Sequence, residues 1–295
     1  MAAAALAARD PLARVAGLPG VAEAVETARR SVDTLLRHRL MRRRGSEVTA
    51  EASLRSARAS AALAGFDVPL ETLRAGLGDA ADAGDPQTAA EVTPLSAALA
   101  AVRLYSELGT LRSTWERAPR QVLARMHVLA GRGLLPSDQL GRPRRTDGFP
   151  LATDPAGRLA ADVLGLGSPP SPAETSARLT GLTDLLVVKT AAPAIVVAAV
   201  THGELLAIRP FGALDATIAR AAARLVMISL GLDPKALTAP DVGHLEAGDY
   251  AESARAYISG GPDGVAAWVI HCARAVELGA RESLAVCEAL TRAES

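Results

Sequence analysis

Apolar residues recur at helical spacing along most of the chain. From about 20 to 43, Val21, Val25, Ala28, Val32, Leu35 and Leu36 fall on one face, predicting a helix that Gly45 ends. The same periodicity predicts helices at about 47–64, 88–106, 117–131, 171–190 and 192–207, and closing helices at 241–259, 262–279 and 281–293. β-branched runs are few, so the fold class is all-α. The most informative stretch is 200–231. An apolar helix stops at Ile208, Pro210-Phe211-Gly212 breaks it, and a second helix starts near Leu214 or Asp215 and runs to Gly231. Such a helix, tight loop and helix aims free backbone N–H groups and the positive end of a helix dipole at the break, a geometry that suits an anion.

Between the helices lie three irregular stretches. Residues 1–19 read as a loosely held lead-in, because Pro11, Pro19 and glycines break any long helix. Residues 76–88 read as a polar connector. Residues 132–157 form the longest irregular stretch, and a loop of that length is usually functional or mobile. No boundary divides residues 20–295, so the expectation is one domain. On the 117–131 helix, Arg117, Arg120 and Arg125 point outward, and His127 sits beside the apolar face of Val122, Leu123 and Met126 as a satisfied core or rim histidine.

Composition sharpens the picture by exclusion. Aromatic residues are only 3% of the chain while alanine is abundant, so helices must pack closely through small faces. Lys plus Arg equals Asp plus Glu at 32 each, which gives no global field for nucleic acid or membranes. The run from Arg37 to Arg44 is the strongest basic patch, but it lacks interleaved aromatic residues. Cys272 and Cys287 make neither a disulfide framework nor a metal spacing, and read as buried thiols of a cytoplasmic protein. His202 and Glu204, two residues apart, do not share a helix face, so no metal pair is expected there. Residues 184–200 are interrupted by Lys189 and Pro193 and read as a buried helix, not a membrane span. The N-terminal apolar run lacks the charged lead of a signal peptide.

The stretch Arg209-Pro210-Phe211-Gly212-Ala213-Leu214-Asp215-Ala216-Thr217-Ile218-Ala219-Arg220 resembles the signature of the Fic (Fido) family, His-Pro-Phe-x-Asp/Glu-Gly-Asn-Gly-Arg-x-x-Arg. Pro210, Phe211 and Arg220 match, three of the nine specified positions. The preceding Ala-Val-Thr-His-Gly-Glu-Leu-Leu-Ala-Ile is similar to the family's approach helix, and Gly231-Leu232-Asp233-Pro234 ends the next helix where relatives do. The resemblance implies an all-α Fic-like domain, with a short β-hairpin flap within 132–157 that docks a target strand edge to edge. Pro143 and Pro150 remove donors that a regular hairpin needs, and Arg142, Arg144 and Arg145 could meet an anionic partner.

The departures each remove a named part of the family's chemistry. Fic enzymes transfer AMP to a target hydroxyl: the His takes the hydroxyl proton, the acidic residue holds Mg²⁺, and Gly-Asn-Gly cradles the phosphates. Arg209 stands at the His position, and its guanidinium stays charged and cannot act as a general base. Ala213 stands at the metal position, so Mg²⁺ is not expected. Leu214 and Ala216 replace the glycines, and Asp215 replaces the Asn, where a carboxylate can occupy the N–H groups a phosphate needs. Arg209 can offset that charge or pair with Asp215 across the loop. A residual cofactor pocket would comprise Arg209, Phe211, Gly212, Asp215, Ala216, Thr217 and Arg220, with ATP or another nucleotide as ligand and Arg220 as the main phosphate contact.

Many relatives also carry an inhibitory helix, Ser/Thr-x-x-x-Glu-Gly/Asn, whose Glu pairs with the last motif Arg. Residues 47–65 resemble it, with Ser60 and Gly65 matching and Ala64 where the Glu would stand. Brake and engine are thus altered together. The first functional reading is a pseudoenzyme or binding module, whose partner is a phosphate-bearing small ligand or a protein. The second is an active nucleotidyl or phosphate-group transferase of altered chemistry. A third, nucleic-acid binding, rests on the arginine run alone.

Overall fold

A computed structural model describes residues 10–82, 91–146, 158–159 and 162–292. Thirteen α-helices and no strand occur among them. They are α1 (Pro11–Ala16), α2 (Val21–Leu36), α3 (Gly45–Leu63), α4 (Leu70–Asp82), α5 (Pro94–Ser106), α6 (Leu108–Trp115) and α7 (Pro119–Gly131), then α8 (Pro172–Val187), α9 (Ala194–Ile208), α10 (Asp215–Ser229), α11 (Pro240–Ala247), α12 (Tyr250–Ser259) and α13 (Pro262–Arg292). Of the expected flap-like loop at 132–157, residues 132–146 are described and contain no strand, and 147–157 lie outside the described residues.

The centre is the α9–α10 hairpin. α9 is buried on nearly every side, including Ile195, Val196, Val197, Leu205, Leu206 and Ile208, as befits a helix that is apolar all round. α13 crosses it and is anchored by Trp268, whose indole Nε1–H donates to the Ala199 carbonyl at 2.7 Å. α6 and α7 close the other side against α10, and α3 and α5 pack on each other beside it. Small residues let helices approach: a Cβ on Gly243 of α11 would lie 1.9 Å from the Ala275 carbonyl oxygen of α13, and one on Gly279 would lie 2.4 Å from that of Ala239. The two glycines seat α11 directly on α13.

Several boundaries differ from the periodicity reading, each for a local reason. α2 ends at Leu36, and a 3₁₀ turn at Arg39–Arg42 follows, bringing the adjacent Leu40 and Met41 both inward as one continuous α-helix would not. The lead-in contains α1, capped by Asp10, whose carboxylate accepts from the Leu12 and Ala13 N–H groups and reaches Thr190 and Ala191 before α9. Residues 76–82 of the expected connector are helical. Gly76 is there because α5 comes close, a Cβ meeting Leu95 at 2.9 Å. α6 was not predicted; Leu108 and Trp115, two turns apart, are its buried anchors. The expected 241–259 helix is two, broken at Gly248 with φ 78°. The expected break near 280 is absent, since Gly279 serves contact with α11 and leaves α13 continuous.

Candidate functional site

The loop between α9 and α10 is held in a backbone shape that its side chains do not favour. Arg209 has φ 42° and Leu214 has φ 60°, left-handed conformations for residues with a Cβ, and Gly212 has φ 80°. For non-glycine residues such conformations cost roughly 1 kcal/mol or more each. Tertiary bonds over-determine them: Leu214 N–H donates to the Leu159 carbonyl at 3.1 Å, and Arg144 N–H donates to the Pro210 carbonyl at 2.9 Å. Phe211 stacks on His127, with ring centroids 4.4 Å apart and planes within 10°.

Asp215 begins α10 and turns its carboxylate back onto the loop. It accepts the Phe211 N–H at 2.9 Å and the Gly212 N–H at 2.7 Å, and is 6% exposed. Burial pushes its pKa up to about 7, against the opposing pull of those two N–H groups and of the Arg209 and Arg144 charges. Arg209 is buried, and its Nη2 donates to the Gly167 carbonyl at 2.7 Å; burial lowers its pKa, while Asp162 and Asp215 act in the opposite sense. Arg144 reaches in from the 132–146 segment. Its side chain donates to the carbonyls of Arg209 and Pro170 and, at 2.6 Å, to the Thr175 hydroxyl.

A cavity of about 60 Å³ opens beside this loop. Arg209, Gly212, Ala213, Leu214, Asp215, Ala216 and Thr217 form one wall; Ala61 and Ala64 of α3, with Phe66, form another; Leu159 and Asp162–Leu164 close it. Ala64 follows α3, and Gly65 beside it has φ 86°. Of the residues singled out from sequence, Arg209, Gly212, Asp215, Ala216, Thr217 and Ala64 therefore come together on this cavity. Phe211 turns to His127, away from it.

Arg220 and Ser60 meet elsewhere. Arg220 is 2% exposed; its Nε donates to Ser60 Oγ at 2.9 Å, its Nη2 to the Ser60 carbonyl at 2.8 Å, and its Nη1 to Tyr250 Oη at 3.2 Å. Asp241 Oδ1 lies 3.4 Å from Nε and accepts the Tyr105 hydroxyl at 2.6 Å. This network is buried between α3, α5, α10 and α11, and Arg220 does not line the loop cavity. His127 is buried, accepts the Gly141 N–H at 2.9 Å, and has its pKa lowered to about 4 by desolvation. His202 likewise faces away from the loop, toward Tyr250 and Trp268.

Sequence reading missed the cluster around His202: His244, Asp241, Tyr250, His271 and Cys272 lie on three different helices. Their separations in the chain carry no recognisable spacing. The nearest signal is that adjacent His271 and Cys272 fall within an otherwise apolar helix face.

No protein-family model and no curated protein matches the chain. Among solved structures, a Fic family protein from Desulfovibrio desulfuricans G20 superposes with a TM-score of 0.68 at 16% identity, over 91% of this chain and 75% of that one. Fic-1 from C. elegans superposes with a TM-score of 0.63 at 16% identity, over 91% of this chain and 73% of that one. The chain has the all-α Fic fold. No described helix is long and apolar enough to cross a membrane.

Proposed function

We propose that this chain is a pseudoenzyme, a binding protein on a Fic fold that does not transfer AMP. The observation that carries the reading is the Asp215 carboxylate on the Phe211 and Gly212 N–H groups, where a phosphate would need free donors. Arg209 supplies no base, and Ala213 supplies no metal ligand. A cavity of about 60 Å³ is also small beside the pockets of roughly 300 Å³ and more that enclose drug-sized ligands. Its mostly apolar walls suit a small ligand that offers a hydrogen bond to Asp215. Two buried free cysteines accord with a reducing, cytoplasmic setting.

The test is titration calorimetry with ATP and ADP, with and without Mg²⁺, beside a transfer assay using labelled ATP and cell extract. Neither heat nor label is expected. Label transfer that disappears in Arg209→Ala would overturn the proposal. An altered transferase has one observation of its own: a cavity-wall carboxyl whose pKa is near 7 lies in the range of a general base. On that reading labelled product forms and is lost in Asp215→Asn.

A further inference from the structure

Three of the chain's five histidines and one of its two cysteines meet in one place. His202 comes from α9, His244 from α11, and His271 and Cys272 from α13. One donor atom each from His202, His244 and Cys272 lies within 4.8 Å of the other two, and all three side chains are buried. They line a cavity of about 20 Å³, room for one water-sized occupant.

The surrounding hydrogen bonds prepare ring nitrogens as ligands. His271 Nδ1 is 2.8 Å from the Asp249 carboxylate, which accepts and does not donate when ionised. That nitrogen therefore carries the proton, and His271 Nε2 is the acceptor. His244 Nδ1, 2.9 Å from it, must be an N–H, so the neutral His244 ring presents a bare lone pair at Nε2. His202 Nε2 is 2.8 Å from Tyr250 Oη, which also accepts Arg220 Nη1 at 3.2 Å; metal binding through Nδ1 calls for the tautomer in which Nε2 donates to Tyr250, and binding would select it. Neither remaining nitrogen forms another hydrogen bond among the described residues. An outward N–H held by a neighbour is the arrangement that orients metal-bound imidazoles.

We propose that His202, His244 and Cys272 bind a single thiophilic d¹⁰ cation, copper(I) in preference to zinc(II), which clamps α9, α11 and α13 together. Two imidazoles and a thiolate are a soft donor set that suits either ion. Charge favours the lower one. The Arg220 guanidinium also lines the cavity, with Asp241 as its counter-ion, so a copper(I) thiolate adds no net charge whereas a zinc(II) thiolate adds one beside a buried cation. Donors about 2.0–2.3 Å from a shared ion sit about 3.5–4 Å apart, so side-chain shifts of about an ångström close the set. On binding, the Cys272 S–H bond breaks and its proton passes to solvent. The sulfur electron pair forms the bond to the ion, and both imidazoles enter neutral. One proton is released per ion and no electron is transferred.

The experiment is anaerobic titration of the reduced, metal-stripped protein with copper(I), and separately with zinc(II), each against a chromophoric chelator. Near-ultraviolet absorption reports the thiolate bond, and circular dichroism reports folding. The expected result is one copper(I) per chain, a new charge-transfer band, one proton released, and tighter retention than of zinc(II). Cys272→Ala should abolish the band and, with His244→Gln, weaken retention at least tenfold in helical, cooperatively melting protein; Cys287→Ala should retain both. Failure of the wild type to compete for either ion would overturn the site, as would binding unchanged in folded Cys272→Ala. Zinc(II) held more tightly than copper(I) would overturn the copper assignment and the charge argument behind it.

Discussion

The loop end of the α9–α10 hairpin and its middle treat their polar groups in opposite ways. At the loop end the chain answers itself: Asp215 takes the Phe211 and Gly212 N–H groups, Arg209 takes the Gly167 carbonyl, and Arg144 takes the Arg209 carbonyl. Halfway along the hairpin, donor atoms of His202, His244 and Cys272 lie within 4.8 Å of one another beside a small cavity. The loop end resembles a known motif, whereas the other region resembles none. Capacity for a ligand is sought where donor atoms converge, not where a motif lies.

The sharpest contrast lies between the two arginines at the ends of the motif-like stretch. Arg220→Met leaves Asp241 buried without its cation, and should lower unfolding stability by about 3–5 kcal/mol in urea melts. A loss under 1 kcal/mol would show that the buried network is dispensable. Next comes the seat of α11. Gly243→Ala places a methyl carbon against the Ala275 carbonyl with no side chain able to yield, and should cost about 3 kcal/mol or more while loosening His244 from its neighbours. Both losses should exceed any from a single substitution at the loop end.

How far the sequence disclosed these two regions depends on whether their contacts are local. Asp215 reaches four residues back along the chain, so its competition with a phosphate could be argued from position alone. α9 was legible because it is apolar throughout. By contrast, Arg220 reads as a phosphate contact in sequence, and only the packing of Ser60, Tyr250 and Asp241 around it reveals a buried network. The same holds for the metal ligands, which tertiary contact alone unites. The break at Gly248 and the absence of one at Gly279 make the point for helices: one glycine turns the chain at positive φ, while the other admits a neighbouring backbone.

A smaller effect tests whether the loop carboxyl is the buried acid its surroundings imply. With a folded pKa of about 7 against 3.8 unfolded, Asp215 makes the native state hold the extra proton between those values, so its contribution to stability falls as pH rises through them. His127, lowered to about 4, works the other way, as do His202, His244 and His271, whose pKa values burial also lowers: the unfolded state holds their protons, and stability rises as pH rises toward the ordinary histidine range. The wild type should therefore show a flatter profile from pH 5 to 7 than Asp215→Asn, in which the histidine slope stands alone. The two proteins should diverge by about 2 kcal/mol across that range, at most about 1.4 kcal/mol per pH unit. Parallel profiles would mean that Asp215 is ionised throughout.

The smallest effect belongs to Arg209→Met. Its guanidinium bonds the Gly167 carbonyl, and the left-handed backbone at 209 is as strained with methionine as with arginine, so the loss should be about 1 kcal/mol. Its informative consequence is electrostatic. Arg209 is one of the charges that hold the Asp215 pKa down against burial, so removing it should move that titration upward, measured by the carboxyl carbon chemical shift. A loss as large as that of Arg220→Met would place Arg209 in a buried network of its own and erase the distinction between the two ends. An Asp215 pKa that stays fixed would mean that burial, the two N–H groups and the Arg144 charge set it without Arg209.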